Sequence, residues 1–336
     1  TEEQRQILLQ TIERANAACN WISEQAWEAK AFARVPVHRL TYHAVREHYG
    51  LTAQAAVRCI GKVVDSYKKD RRTKRTFKPH GAVAYDSRIL NWRMPNKQVS
   101  IWTLNGRETM SFTCGEHHLA LLQYQQGESD LVYRKGKFYL YATCDVPDDA
   151  PLDPDGWIGA DLGIVNILTD SDGATYSAKH LLNVRHRYRR LRRKLQKKGT
   201  KSAKRLLAKR SGRERRFAED VNHCISKKLV EKAKDTTRGI ALEDLTHIRE
   251  RVTVQRRKRD QLHSWNFHSL RFKIAYKAAL RGVPVRVVDP RYTSQECSCC
   301  GHISRSNRPN QSTFKCTSCG FASHADVNAA VNISRR

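Results

Sequence analysis

The stretch WIGADLGIVNILTDSDGATYS, residues 157–177, decides how the rest of the chain is read. Ile158, Ala160, Leu162, Ile164, Val165, Ile167 and Leu168 form a near-continuous apolar run, the pattern of a strand covered on both faces. Ser171-Asp172-Gly173 predicts a turn into a second, pairing strand. Asp161 lies inside the apolar run. A carboxylate there loses its hydration, and a partner charge or a metal must offset that loss.

Downstream, strands and helices alternate, which predicts an α/β sheet layered with helices. RGIALEDL (238–245) and VPVRVVD (283–289) read as strands, and a helix carrying Trp265, Phe267, Leu270, Phe272, Ile274 and Tyr276 falls between them. Glu243 repeats the predicament of Asp161, a lone acid in an apolar strand, and alternation sends its neighbour Asp244 to the opposite face. Asp326 opens a third element, HADVNAAVNI, whose Ala325, Ala329, Ala330 and Ile333 give a helix one inward face. Singly, each acid has a plain reading as a satisfied core carboxylate or a helix cap. Jointly, three converging carboxylates relieve their repulsion by binding hard cations, Mg²⁺ or Mn²⁺. Two such ions can activate a water and stabilise the leaving oxygen of a phosphodiester.

Residues 297–319 read CSCCGHISRSNRPNQSTFKCTSC. Cys297 and Cys300 form one C-x2-C pair and Cys316 and Cys319 a second, each followed by glycine, the spacing of a structural four-thiolate Zn²⁺ site. Cys299 breaks the symmetry of the two knuckles and is left out, and His302 and His324 read as surface or phosphate-contacting histidines. The remaining cysteines are scattered, which argues for a reducing compartment rather than a disulfide scaffold.

Upstream of the opening stretch, Leu8, Ile12, Ala15, Cys19, Ile22 and Ala26 draw one helical stripe. Ala56, Ile60, Val63 and Tyr67 draw another behind a candidate cap at Thr52, so a small helical bundle is expected. From about Thr76 to Val146, QVSIWTL, ETMSFTC, SDLVYRK and KFYLYATCDV alternate about turns at Asn105-Gly106 and Lys135-Gly136, predicting a small antiparallel β-domain or barrel. DVPDDAPLDPDG (145–156) reads as a linker.

The 336 residues carry 62 Lys and Arg against 33 Asp and Glu, a net charge of +29, which makes a polyanion the first partner to expect. The charge concentrates in residues 185–216, where 17 cations accompany the single acid Glu214 along helices edged by Leu191, Leu195, Leu206 and Leu207. Phosphate backbones supply the missing counter-charge. The sequence shows no run of about 20 apolar residues and no charged-then-apolar leader, so no membrane partner or secretory route is expected. Its first residue is Thr1 rather than Met.

GADLG (159–163), ALEDL (241–245), TSQECSCCG (293–301), FKCTSCG (314–320) and HADVNAAVNI (324–333) together resemble the TnpB/OrfB proteins of insertion sequences, relatives of the compact type V CRISPR effectors. The resemblance is strong over about 155–336. It implies a multidomain α+β protein. Residues 1–72 would be a helical recognition lobe and 73–150 a wedge-type β-barrel. Residues 151–292 and 323–336 would be a RuvC/RNase H-like α/β nuclease core, and 293–322 an inserted zinc-ribbon-like module that binds target nucleic acid. It also implies an RNA-guided DNA endonuclease, with Asp161, Glu243 and Asp326 as catalytic, cation-binding acids and Cys297, Cys300, Cys316 and Cys319 as zinc ligands. Its partners would be a guide RNA from the transposon end and a double-stranded DNA target bearing a short adjacent motif. Its setting would be the bacterial or archaeal cytoplasm, at the nucleoid. Proteins of this kind begin with a strand of the wedge barrel, whereas this chain opens almost directly on a helix. The competing readings are a nuclease-inactive RNA-guided binder, expected to lack one of the acids, and a DDE-type transposase, whose acids run Asp, Asp, Glu rather than Asp, Glu, Asp. A plain zinc-containing RNA-binding protein leaves Asp161 and Glu243 unexplained.

Overall fold

The computed structural model describes residues 1–246 and 267–336, which fall into two compact units, Thr1–Val146 and Pro147–Arg336. Trp265, assigned from the sequence to a helix, lies outside the described residues.

The first unit opens on three helices, α1 (Glu2–Glu28), α2 (Arg34–Tyr49) and α3 (Ala53–Lys69). Thr1 and Gln4 form a reciprocal capping box at the start of α1, and every residue of its predicted stripe is buried. Thr52 stands at the N-cap of α3, but its side chain accepts no cap hydrogen bond. The β-region comprises β1 (Val83–Tyr85), β2 (Leu90–Arg93), β3 (Gln98–Thr103), β4 (Gly106–Ser111), β5 (Gln125–Arg134) and β6 (Lys137–Cys144), with the short α4 (Glu116–Leu122) before β5. They form two antiparallel sheets of three strands, ordered β1-β5-β6 and β2-β3-β4. Lys135 and Gly136 both have positive φ (52° and 78°), the twist that a two-residue hairpin demands.

The second unit is built on a mixed five-stranded sheet ordered β11-β10-β7-β8-β9. Its strands are β7 (Gly156–Asp161), β8 (Asn166–Asp170), β9 (Thr175–Ser177), β10 (Arg238–Glu243) and β11 (Val285–Val288). The central β7 and β10 run parallel, as do β10 and β11, while β8 and β9 are antiparallel. The opening stretch is therefore three strands, not two. Its apolar run breaks at Leu162–Val165, because Gly163 turns so tightly that a Cβ there would lie 2.8 Å from the carbonyl oxygen of Asn166. Val165, at 52% exposure, belongs to that turn rather than to a buried strand.

Helices α5 (Lys179–Lys198), α6 (Lys201–Arg210), α7 (Arg213–Asp235) and α8 (Phe267–Leu280) accompany the sheet. Ile158, Leu168, Leu229, Ile240, Leu242, Leu270 and Ile274 make its core. In the basic run Leu195 is buried, while Leu206 stays exposed. The presumed linker is pinned along this unit: the amides of Asp149, Leu152 and Asp155 donate to the carbonyls of Leu280, Gly282 and Thr237. The hairpin β12 (Thr313–Lys315) and β13 (Ala322–His324) leads into the last helix, α9 (Ala325–Arg335). No helix among the described residues is long and apolar enough to cross a membrane.

Candidate active site

Asp161 and Glu243 end neighbouring parallel strands. The register pairs Leu242 with Ala160, so the next position on each strand sets the two acids side by side at the carboxyl edge of the sheet. Strands lie about 4.8 Å apart in that direction. Asp161 is thus at a strand end, not within a strand as the sequence suggested. Asp326 arrives from the first turn of α9.

The close approach of α9 depends on Gly159. A Cβ at that position would stand 1.9 Å from the carbonyl oxygen of Ala330 and 2.5 Å from the amide nitrogen of Ser334. Only a residue without a side chain lets the backbone of α9 lie directly on β7. Ala329, Ala330 and Ile333 are buried along this helix, while Ala325 packs instead with Cys297, Phe314 and Cys316.

Asp161 senses the other two acids. The Asp161 carboxyl is pushed up to about 8, first by burial, then by the negative charges of Glu243 and Asp326, with Arg308 and the Leu162 amide pulling the other way. Glu243 is also raised by burial, opposed by the Thr293 hydroxyl that donates to it and by Arg336 and Arg308. Asp326 does not cap its own helix: the Nδ1 of His324 accepts the Asp326 amide instead (3.3 Å). The Asp326 carboxylate accepts from the side-chain amide of Asn166 (2.9 Å) and from the guanidinium of Arg308 (3.1 Å). Arg308, Asn166 and Thr293 escaped the sequence reading. Each is one common polar residue in a loop or at a strand start, and only the fold aims it at an acid.

A fourth acid was also missed. Asp170 is fully buried, yet its needs are met by the Lys232 ammonium at 2.6 Å and by the amides of Asp172 (3.1 Å) and Ala174 (2.9 Å). It is a satisfied structural carboxylate. Asp161 differs because its charged neighbours are mostly of its own sign.

The sulfurs of Cys297, Cys300, Cys316 and Cys319 all lie within 4.8 Å of one another, the one such donor cluster among the described residues. Cys297 and Cys319 are 3.7 Å apart and Cys300 and Cys316 3.6 Å. Four thiolates at zinc's bond length of about 2.3 Å in a tetrahedron stand about 3.8 Å apart, so the donor set fits that ion. The Cys316 thiol is brought down to about 6, chiefly by the Cys319 amide 3.4 Å from its sulfur, with the Ser318 amide adding to this against the effect of burial. Asn328 and Asn332 tie the module to α9. Asn328 donates to the Glu296 carbonyl (2.8 Å) and accepts from the Ser298 amide (3.0 Å), while Asn332 donates to the carbonyls of Thr293 (2.9 Å) and Glu296 (2.7 Å). The thiolate module and Asp326 are therefore one mechanical piece.

The site is thus a mixed sheet with acids at its carboxyl edge, joined through one helix to a four-thiolate module, and comparison with known proteins shows what it is similar to. Residues 141–247 match the OrfB_IS605 family, described as "Probable transposase", and residues 267–333 match the "Cas12f1-like, TNB domain" family. Over these two stretches the chain is similar to TnpB-like and Cas12f1 proteins. It is 33% identical over 232 residues to a CRISPR-associated endodeoxyribonuclease Cas12f1 of Sulfoacidibacillus thermotolerans, covering 63% of this chain and 54% of that protein. It is 38% identical over 160 residues to a TnpB-like protein of Methanocaldococcus jannaschii, covering 46% and 57%. Escherichia coli InsQ, named a putative RNA-guided DNA endonuclease, is 29% identical over 218 residues, covering 59% and 53%. The chain thus spans about half the length of the curated relatives it matches. In fold it resembles the protein of a Cas12f1-sgRNA-target DNA complex, with a TM-score of 0.66 at 17% identity over 99% of this chain and 83% of that one.

Proposed function

We propose that this protein is an RNA-guided DNA endonuclease of transposon origin, cutting phosphodiesters with two divalent ions after a guide RNA pairs with its target strand. The observation that carries this is the pairing of Asp161 and Glu243 at adjacent strand ends, with Asp326 raising Asp161 further. Mutually repelling carboxylates in a protein of net charge +29 are a poor structural device and a good cation site. Asp161, Glu243 and Asp326 would hold Mg²⁺ or Mn²⁺. Those ions supply a nucleophilic water and charge stabilisation at the leaving oxygen. The chain's own contribution is positional. Thr293 orients Glu243, Asn166 and Arg308 orient Asp326, and Arg308 is a cation placed to meet a phosphate oxygen once a metal takes over the carboxylate.

The helices α5 and α6 and the start of α7 would carry nucleic-acid backbone. A concavity of about 820 Å³ along α5 is lined by His180, Asn183, His186, Arg187, Arg190 and Arg193, the chemistry of a phosphate track. By the same reading residues 1–72 form a recognition lobe and 73–150 a wedge-type β-domain. Residues 151–292 and 323–336 form a RuvC-like core, and 293–322 a zinc-bearing module that holds target DNA beside its short adjacent motif. The acid order Asp, Glu, Asp and the presence of all three acids disfavour a DDE transposase and an inactive guided binder.

Asp161→Ala tests the assignment. It should abolish cleavage of a target matching the RNA that copurifies with the protein while leaving RNA and target binding within about two-fold. Cleavage at the wild-type rate would sink the proposal.

A further inference from the structure

Tyr292 is a bulky residue held at φ +65°, a conformation that glycine adopts freely and that a tyrosine enters only under constraint. The constraint is visible on both sides. Asp289 accepts the Arg291 amide at 3.0 Å, and the Tyr292 carbonyl accepts the amides of Gln295 (2.8 Å) and Glu296 (2.9 Å). Thr293, the next residue, is buried, with its hydroxyl donating to Glu243 and its carbonyl accepting from Asn332. The backbone must turn here to deliver Thr293 to the acid, and glycine would serve that need at no strain. A tyrosine occupies the position instead, 55% exposed, with no hydrogen bond to its hydroxyl and no ring contact among the described residues. Beside it the Arg291 side chain is 82% exposed. Packing therefore does not explain the ring.

We infer that Tyr292 is a stacking platform for a nucleobase of the single strand delivered to the acids. The inference rests on the nuclease reading and adds a substrate contact to it. Three observations converge. The ring is flat, amphipathic and open to solvent, as base-stacking side chains are. It follows the carboxyl end of β11, on the sheet edge where parallel strands present their ligands and where Glu243 stands. Its backbone is locked one residue from an acid-binding threonine, so a base on the ring would be held in fixed register with the metal-binding carboxylates. Arg291, whose Nε stands 3.8 Å from the Asp289 carboxylate in an exposed pair, would exchange that partner for the adjoining phosphate.

The test uses the full chain with its copurifying RNA. A fluorescein-labelled single-stranded oligodeoxynucleotide, and an oligoribonucleotide of the same sequence, are titrated in EDTA at about 0.3 M salt, where non-specific phosphate contacts are weakened. Tyr292→Ala and Tyr292→Gly should raise the dissociation constant about 10-fold or more, and Tyr292→Phe should stay within about three-fold. Loss in the deoxy arm supports the inference, and loss confined to the ribo arm overturns it by placing RNA on the ring. Tyr292→Gly should also raise the melting temperature, because it relieves the backbone strain, so weaker binding cannot be ascribed to unfolding. In cleavage assays the half-saturating DNA concentration should rise and the saturated rate should fall in Tyr292→Ala and Tyr292→Gly but not in Tyr292→Phe. An abasic position opposite the ring should weaken wild-type binding and leave Tyr292→Ala unaffected. Wild-type affinity of both truncations in both arms, or a loss in Tyr292→Phe equal to that in Tyr292→Ala, overturns the inference. If Asp161→Ala cuts normally, the nuclease reading fails instead, and the binding titration still decides whether a base sits on Tyr292.

Discussion

Gly159→Ala puts one methyl group where the structure leaves no room. The new carbon would lie 1.9 Å from the Ala330 carbonyl oxygen, against an ordinary C–H···O contact of about 3.3 Å. Neither atom sits on a flexible tip, because both belong to backbone, so α9 must retreat from β7 by more than about 1 Å. Overpacking of this kind costs about 1–3 kcal/mol, which for a unit the size of Pro147–Arg336 lowers the melting temperature by about 2–12 °C. Asp326 lies one turn before Ala330 and moves with the helix. A displacement of about 1 Å in a positioned catalytic group lowers turnover about 10²-fold. Differential scanning calorimetry and single-turnover DNA cleavage, run at a temperature where the variant remains folded, read the two effects separately. Gly61→Ala is the control: Gly61 lies in α3 with nothing within 4 Å of a Cβ, and alanine there should be neutral or stabilising by up to about 1 kcal/mol. A Gly159→Ala protein with wild-type melting and wild-type cleavage would refute the claim that this glycine sets the position of Asp326.

The other expectations concern charge and metal. An acid held at about 8 in the folded protein binds more protons folded than unfolded, so in EDTA stability should fall as pH rises from about 4 to about 8, by up to about 5 kcal/mol. Denaturant titrations should lose this slope in Asp161→Asn and on adding Mg²⁺; a flat wild-type profile contradicts the raised carboxyl. Zinc analysis should return about one equivalent for the wild type, and Cys316→Ser should lose both the metal and thermal stability, whereas a metal-free wild type removes the zinc assignment. Lys232→Ala leaves Asp170 buried beside an unfilled partner and should destabilise by about 3–5 kcal/mol in urea melts, far more than loss of an exposed pair. Arg308→Ala should slow cleavage at least about 10²-fold with target binding within about three-fold; parallel losses of both would mean that Arg308 is a general DNA contact instead.

The periodicity of α1, the hairpin turns, the thiolate spacing and the three acids were legible in the sequence, because each depends on residues close together in the chain or on a residue type with few alternative uses. Four thiols at this spacing have little else to do, and a carboxylate in an apolar run declares a problem wherever the strand ends. The break at Leu162–Val165 was not legible, since a glycine-permitted turn of apolar residues looks the same as a strand until the backbone closes on Asn166. Nor was the separation of Asp170 from Asp161: both are acids in apolar strands, and only the placement of Lys232 beside one and Glu243 beside the other makes the first a structural ion pair and leaves the second the acid we propose as a cation ligand. Arg308, Asn166 and Thr293 belong with them, because a hydrogen bond across about 18 to 160 positions of chain is a property of packing, not of local order. Local sequence fixed which side chains could do chemistry; the direct seating of α9 on Gly159 decided which of them share one place.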